Sequence, residues 1–202
     1  AQRPQPLPDA DSTHVGRMSA EIASFSNYLR GLTALLDEQE LASTVAALSS
    51  AKRVLVVGNG LSAPLAQTTA LRLTSIGRPA EFVGEAMGQH IAATQLDSEC
   101  VCLVVSGSGA TTLTLNAATA AEKTGATIIA LTSFTSSPLA ELSAYTLVIP
   151  SPDGTFRAEL ADASRVAFLL ILEALVMLVD SHLENVEARR TVLSVLQSAM
   201  EG

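Results

Sequence analysis

Residues 101–112 (VCLVVSGSGATT) join a short apolar segment to a loop of glycines and hydroxyl-bearing side chains. The apolar part is typical of a buried strand, and a helical pattern begins at Leu113. The start of a helix offers unpaired N–H donors and a partial positive charge, so an anion is stabilised there. The sequence therefore predicts a phosphate-binding loop. Its candidate ligand groups are the hydroxyls and backbone amides of Ser106, Gly107, Ser108, Gly109 and Thr111.

This loop differs from the nucleotide-binding P-loop. That motif requires Gly-Lys-Ser/Thr, and no lysine lies between Arg53 and Lys123. A neutral loop rich in hydroxyls suits a single phosphate ester better than a magnesium-bound triphosphate. The remaining alternative is a turn rich in serine and glycine that binds no ligand.

A second unit of strand, glycine loop and helix lies upstream, with an apolar segment at 53–57 and a helical pattern over about 63–76. Ligands collect at the carboxyl ends of strands in open α/β sheets. Ala63 stands where a dinucleotide fingerprint requires its third glycine, which disfavours that class of ligand. The candidate contacts to a phosphate or to sugar hydroxyls are Gly58, Asn59, Gly60 and Ser62.

Three side chains are candidates for acid–base chemistry on a bound sugar: Glu85, His90 and Glu159. Proton transfer to or from a ligand needs a carboxylate or imidazole with a pKa near neutrality. The alternative for the two glutamates is a solvated carboxylate in a loop or at a helix end. For His90 three roles stay open: a solvated side chain, an acid that opens the sugar ring, or a contact to a sugar hydroxyl. No Cys/His spacing indicates a metal site, and we expect no cofactor.

Apolar segments that alternate with helical patterns must position these residues. They predict an α/β fold, a three-layer αβα sandwich with a five-stranded parallel sheet. The predicted strands are 53–57, 80–83, 101–105, 127–131 and 145–149. Two helices, about 15–36 and 38–49, precede the first strand, with Asp37 and Glu40 at capping-box spacing for the second.

The carboxyl-terminal third of the chain is helical by pattern. Residues 156–183 are apolar on nearly all sides, which predicts burial in the core or at a subunit interface, and an amphipathic helix covers about 185–200. The predicted division of the 202 residues is a proline-containing lead-in at 1–13, N-terminal helices at 14–50, and the phosphate-binding domain at 51–202.

Composition limits the partners. The formal net charge is −8, from 12 Lys and Arg against 20 Asp and Glu, which argues against direct contact of this chain with nucleic acid. The longest apolar run, 166–179, is interrupted by Glu173 and is too short to span a bilayer, so we expect no membrane association. Two cysteines in an apolar segment and the lack of a secretory signal favour a cytoplasmic protein.

With both loops placed, the chain resembles the sugar isomerase (SIS) domain family of phosphosugar-binding proteins. The motifs that carry the resemblance are VVGNGLSAPLA, LRLTSIGRPA, VVSGSGATT and IIALTSFTSSPLAELSAYTLVIP, within about residues 32–179. The family's SxSGxT phosphate motif maps onto Ser106, Ser108, Gly109 and Thr111. The resemblance implies the flavodoxin-like sandwich, a phosphorylated sugar as ligand, and a homodimer or homotetramer.

Two branches of the family are similar to this chain. One is the effector domain of regulators of the ribose-phosphate-isomerase-regulator (RpiR) type, which senses a phosphosugar and follows a helix-turn-helix domain that binds DNA. The other is 6-phospho-3-hexuloisomerase, and the resemblance to it implies aldose–ketose isomerisation, which moves a proton between adjacent carbons through an enediol. Many isomerases of the family have SGSGET, with a glutamate where this chain has Ala110. The hexuloisomerase pattern also has a glutamate four residues after the glycine that corresponds to Gly154, and this chain has Ala158 at that position and Glu159 one residue later. These departures favour the sensor, and the proline-rich start would suit a linker from a DNA-binding domain.

Overall fold

The structure is a computed structural model that describes residues 13–151, 155, 157, 165–183 and 186–200. The chain forms two compact units, Ala1–Leu35 and Leu36–Gly202. The described part of the first unit is helix α1 (His14–Leu32) and a single 3₁₀ turn (Thr33–Leu35). Thr13 caps α1, because its hydroxyl oxygen accepts a hydrogen bond from the Gly16 amide at 2.9 Å. The sequence pattern had predicted a single helix to residue 36, whereas α1 ends four residues earlier.

The elements of the second unit are, in chain order, α2 (Glu38–Ser50), β1 (Arg53–Gly58), α3 (Ala63–Ser75), β2 (Ala80–Phe82), α4 (Ala86–Ala93), β3 (Cys100–Val105), α5 (Thr112–Lys123), β4 (Thr127–Thr132), α6 (Pro138–Leu142), β5 (Tyr145–Val148), α7 (Val166–His182) and α8 (Val186–Met200). The strands form a five-stranded parallel sheet in the order β2-β1-β3-β4-β5. Helices α4, α5 and α6 cover one face of this sheet, and α2, α3 and α7 form the layer on the other. The prediction of a three-layer αβα sandwich is thereby confirmed.

Strands β1, β3 and β4 lie at the centre of the sheet and are almost wholly buried. Alternate residues of a strand point to opposite faces, and one set packs against the alanines of α5. Small alanine side chains let this helix approach the sheet closely. The core is therefore aliphatic, as the low aromatic content of 3% requires.

Helix α2 packs on the sheet and belongs to the second unit. Asp37 caps it as predicted, accepting from the Glu40 amide at 2.9 Å. The Glu40 carboxylate does not complete a capping box. Instead it accepts from the Thr146 amide at 2.7 Å and so joins α2 to the edge strand β5. Arg78, from the IGRPA turn, donates to the carbonyl oxygens of Ser49 and Ala51 at the carboxyl end of the same helix.

Helix α7 is buried on one side only. On that side Phe168, Leu172 and Leu175 are 1–2% exposed. On the opposite side Met177 is 67% exposed and Leu170 is 47% exposed. The apolar pattern on nearly all sides thus corresponds to one face in the core and one apolar face in contact with solvent in this chain.

The two cysteines, Cys100 and Cys102, are both free and buried in β3. Burial raises the pKa of the Cys102 thiol to about 12, and it also raises the pKa of Cys100. Both side chains are therefore protonated thiols, which are poor nucleophiles, at pH 8. We expect neither to react with Ellman's reagent in the native protein, while both react once urea has unfolded the chain. A native thiol that reacts as fast as in urea would contradict this packing of β3.

Candidate functional site

The two glycine loops meet at the carboxyl edge of the sheet. Strands β1 and β3 are neighbours, and β2 lies on the other side of β1. The loops that follow β1 and β3 therefore flank the point where the strand order reverses. A cavity of about 310 Å³ lies between them. The β1 loop contributes Asn59, Gly60, Leu61 and Ser62 to its lining, and the β3 loop contributes Ser106, Gly107, Ser108, Thr111 and Leu113. Arg165, just before α7, completes the described lining.

The β3 loop is anchored to the end of β4 by its backbone. The Gly107 carbonyl oxygen accepts from the Ser133 amide at 2.9 Å and from the Thr132 hydroxyl at 3.1 Å. The Gly109 amide donates to the Ser106 carbonyl at 3.1 Å, and the Gly109 carbonyl accepts from the Leu139 amide at 3.0 Å. The loop is therefore held in one shape before any ligand enters.

Gly109 and Gly58 are required by close packing beside the cavity. Gly109 has φ +61°, and a Cβ there would lie 2.3 Å from Ser137 Oγ. A Cβ on Gly58 would lie 2.9 Å from the Ser62 carbonyl oxygen and 3.0 Å from Ala66 Cβ. A Cβ at either position would force its neighbours to shift, so both glycines permit the turns that bring the two loops together.

Helix α5 begins at the cavity. Its N-cap residue, Thr111, makes no side-chain hydrogen bond to the first turn of the helix. The Thr111 hydroxyl lies instead 3.4 Å from the Ser108 hydroxyl, and Ser108 Oγ accepts from the Ala110 amide at 3.3 Å. The backbone amides of the first turn of α5 remain available to an anion, and the two hydroxyls lie beside them.

Asn59 links the β1 loop to the helices on either side. Its side-chain amide nitrogen donates to Gln89 Oε1 at 3.2 Å and to Thr114 Oγ1 at 3.0 Å. Gln89, on α4, has no exposed surface and donates to the carbonyl oxygens of Gly58 at 3.1 Å and Val83 at 2.8 Å. The sequence analysis singled out Asn59 but neither Gln89 nor Thr114.

Of the three candidate acid–base residues, Glu85 is the N-cap of α4. Its exposed carboxylate accepts from the amides of Met87 at 2.9 Å and Gly88 at 2.8 Å, and these two hydrogen bonds lower the pKa of Glu85. A general base for an enediol step requires the opposite shift. In this structure Glu85 caps the start of α4, and it does not line the cavity of about 310 Å³.

His90 lines a different cavity, of about 490 Å³, together with Asn116 and Lys123. That cavity is lined by residues of α4, α5 and the turns that follow them, whereas the phosphate-loop cavity lies at the carboxyl edge of the sheet. Glu159 lies outside the described residues. Within the part of the chain that the structure describes, neither His90 nor Glu85 is brought to the phosphate loop, and their catalytic roles stay predictions.

Two further features of the described residues bear on function. No group of three or more His, Cys, Asp or Glu side chains is placed to hold a metal ion. No helix among them is both long enough and apolar enough to cross a bilayer.

Relatives of known sequence include two kinds of protein. An uncharacterized HTH-type transcriptional regulator from Caldanaerobacter subterraneus is 32% identical over 160 residues, which are 79% of this chain and 56% of the regulator. The 3-hexulose-6-phosphate isomerase of Mycobacterium gastri is 33% identical over 122 residues, which are 60% of this chain and 59% of the isomerase. The chain thus spans little more than half the length of these two relatives.

Among solved structures, the Vibrio vulnificus NanR protein complexed with ManNAc-6P superimposes with a TM-score of 0.81 at 27% sequence identity. The match covers 96% of this chain and 72% of that chain. The RpiR transcription factor from Sphaerobacter thermophilus (sugar isomerase domain) has the same fold, with a TM-score of 0.66 at 21% identity, over 90% of this chain and 98% of that chain. The SIS domain model matches residues 47–181, a range that contains both glycine loops and the sheet. The resemblance inferred from the motifs is therefore confirmed, and the chain belongs to the SIS domain family.

Proposed function

We propose that this chain is a phosphosugar sensor, the effector domain of a regulator of the RpiR type that controls sugar metabolism. The observation that carries the proposal is the composition of the cavity at the carboxyl edge of the sheet. Its described lining offers hydroxyls and backbone amides from the loop after β3, and it contains no carboxylate or imidazole. Such a lining can bind a phosphate ester, whereas isomerisation also needs a base.

Local donors must account for the recognition of an anion, because the chain as a whole has a formal net charge of −8. The amides at the start of α5 and the hydroxyls of Ser106, Ser108 and Thr111 supply such donors. Arg165 adds a cation to the same lining. Ala110, in place of the glutamate of many family isomerases, keeps a negative charge away from this loop.

The relatives support the sensor. The relative from Caldanaerobacter subterraneus is an HTH-type transcriptional regulator, and the NanR structure is a complex with a phosphosugar, ManNAc-6P. By analogy, we propose that a DNA-binding domain accompanies this domain, that the domain acts in the cytoplasm, and that it forms a homodimer or homotetramer. The exposed apolar face of α7, with Leu170 and Met177, supports the oligomer.

The second candidate function is aldose–ketose isomerisation of a phosphosugar. It is favoured by the 33% identity to the 3-hexulose-6-phosphate isomerase. In that case Glu159, or a side chain of a neighbouring subunit, would be the base that acts on a sugar whose phosphate is bound by Ser106 and its neighbours.

Proton exchange in D2O separates the two functions. The protein is incubated with ManNAc-6P and with fructose 6-phosphate, and NMR follows the hydrogen on the carbon next to the carbonyl. The sensor predicts a raised melting temperature with a bound phosphosugar and no deuterium at that carbon. Ser98→Ala, at an exposed serine, is the control. If deuterium enters with the wild type and with this control but not with Ser106→Ala, the result contradicts the sensor and establishes the isomerase.

A further inference from the structure

We propose that Gln89 is a positioning residue that fixes the direction of the Asn59 side chain, so that Asn59 Oδ1 accepts a hydrogen bond from a hydroxyl group of the ligand. The inference rests on the proposed binding of a phosphosugar. It assigns the phosphate of the ligand to the loop after β3 and a hydroxyl group of the ligand to the loop after β1. It follows from the hydrogen bonds that tie Gln89, Asn59 and Thr114 together.

The direction of the Gln89 amide is determined by the backbone. One end of this wholly buried amide lies 2.8 Å from the Val83 carbonyl oxygen and 3.1 Å from the Gly58 carbonyl oxygen. Carbonyl oxygens only accept hydrogen bonds, so the group that faces them must be the NH₂ group. The reversed amide would place an oxygen against two oxygens at a wholly buried position. Gln89 Oε1 is therefore the atom that faces Asn59.

The direction of Asn59 follows from that of Gln89. The Asn59 atom 3.2 Å from Gln89 Oε1 must be a donor, which makes it Nδ2. The second hydrogen of Nδ2 is directed to Thr114 Oγ1 at 3.0 Å. Both donors of the Asn59 amide are thus used within the protein. The polar atom that this half-buried, cavity-lining side chain leaves for a ligand is Oδ1, which accepts from no donor among the described residues.

An acceptor at this point makes the cavity asymmetric. A fully ionised phosphate ester has no proton to donate, so it is favoured by the donors of the β3 loop and not by Asn59 Oδ1. A sugar hydroxyl can donate to Oδ1. The geometry therefore selects a phosphate ester that also carries a hydroxyl group, with its phosphate toward Ser106–Ser108 and a hydroxyl toward Asn59.

The test compares two ligands at pH 8 by calorimetric titration. ManNAc-6P carries hydroxyls and a phosphate, while methyl phosphate carries the phosphate alone. We expect Gln89→Met and Asn59→Ala each to weaken ManNAc-6P binding about tenfold, the size of one lost hydrogen bond to a ligand, and to leave methyl phosphate binding unchanged. Gln95→Met, on an exposed glutamine after α4, is the matched control and should change neither affinity.

The double variant distinguishes positioning from a general structural effect. If Gln89 acts through Asn59, then Gln89→Met should have no further effect on ManNAc-6P affinity when Asn59 is already alanine. Additive losses, or an equal loss for methyl phosphate, would overturn the inference. Should Gln89→Met not fold, Thr114→Val removes the other acceptor of the Asn59 amide, and it must show the same selectivity between the two ligands. If wild type binds neither ligand, the proposed function itself fails.

Discussion

Replacing Gly109 with alanine should unfold or severely destabilise the protein and abolish phosphosugar binding. The residue has φ +61°, in the left-handed region, where a Cβ costs about 1–2 kcal/mol. The added Cβ would also lie 2.3 Å from Ser137 Oγ and 2.9 Å from Thr132 Oγ1, within a packed region. Overpacking of this kind costs a further 1–3 kcal/mol or so, that is, about 2–5 kcal/mol of unfolding free energy in all.

Binding should fall with stability, because Gly109 holds the phosphate loop to its neighbours. Its amide donates to the Ser106 carbonyl and its carbonyl accepts from the Leu139 amide, so a displaced Gly109 displaces Ser106. Urea unfolding gives the free energy, and the ligand-induced rise in melting temperature reports binding.

Gly125→Ala is the matched control for Gly109→Ala. Gly125 also has a left-handed φ, +85°, but a Cβ there would meet Ser98 at ordinary distances, 3.7 Å from its Cβ and 3.9 Å from its Cα. This variant should therefore lose only the backbone cost of about 1–2 kcal/mol and should still bind the ligand. Equal losses in the two variants would show that the packing around Gly109 contributes nothing beyond its backbone angle.

Replacing Ser108 with aspartate should weaken phosphosugar binding at least a hundredfold without destabilising the free protein. Ser108 is half-buried in the cavity lining, and its hydroxyl accepts from the Ala110 amide near the start of α5. A carboxylate at this position would be stabilised by the same amides and by the helix dipole. It would also repel the phosphate: two like charges about 4 Å apart at an effective dielectric constant near 20 interact by about 4 kcal/mol.

Ser108→Asn separates charge from size. Asparagine has the shape of aspartate without its charge, so it should retain most of the affinity that aspartate loses. Calorimetric titration of both variants with ManNAc-6P gives the comparison, and their melting temperatures without ligand show that each is folded. If aspartate and asparagine weaken binding equally, the phosphate does not lie beside Ser108, and its placement in this loop is wrong.

The positions of the two glycine loops could be predicted from the sequence because each is a local pattern. Apolar strand segments, glycines and hydroxyls occur in consecutive residues at 53–62 and 101–112. That the loops lie together follows from the parallel sheet, since strands that run in one direction end at one edge. The outline of the site therefore needed only local patterns and one rule of topology.

The contacts between elements could not be predicted in this way. Gln89 and Thr114 belong to different helices, and both accept a hydrogen bond from Asn59, which lies 30 and 55 residues away in the sequence. A signal was available: Thr114 shares a buried face with Ala117 and Ala118, so it is a polar residue at a core position. A buried polar side chain must find a partner, and that requirement points to the network without identifying it.

Glu40 shows the same limit. Its spacing from Asp37 predicted a capping box, a local interaction, yet its carboxylate accepts from the Thr146 amide instead. The amides of an edge strand need acceptors, and this non-local hydrogen bond displaces the local one. Glu159 lies outside the described residues. Its one-residue offset from the isomerase pattern is therefore known from the sequence alone.

The most direct test of the central claim is a calorimetric titration of the wild-type protein with ManNAc-6P and with the same sugar without its phosphate, repeated with Ser106→Ala. Binding at the phosphate loop predicts saturable binding of ManNAc-6P, no measurable binding of the unphosphorylated sugar, and at least tenfold weaker binding by Ser106→Ala, since Ser106 is 5% exposed and lines the cavity. Equal affinities for the two sugars, or an affinity for ManNAc-6P that Ser106→Ala leaves unchanged, would contradict the assignment of this cavity as a phosphosugar site.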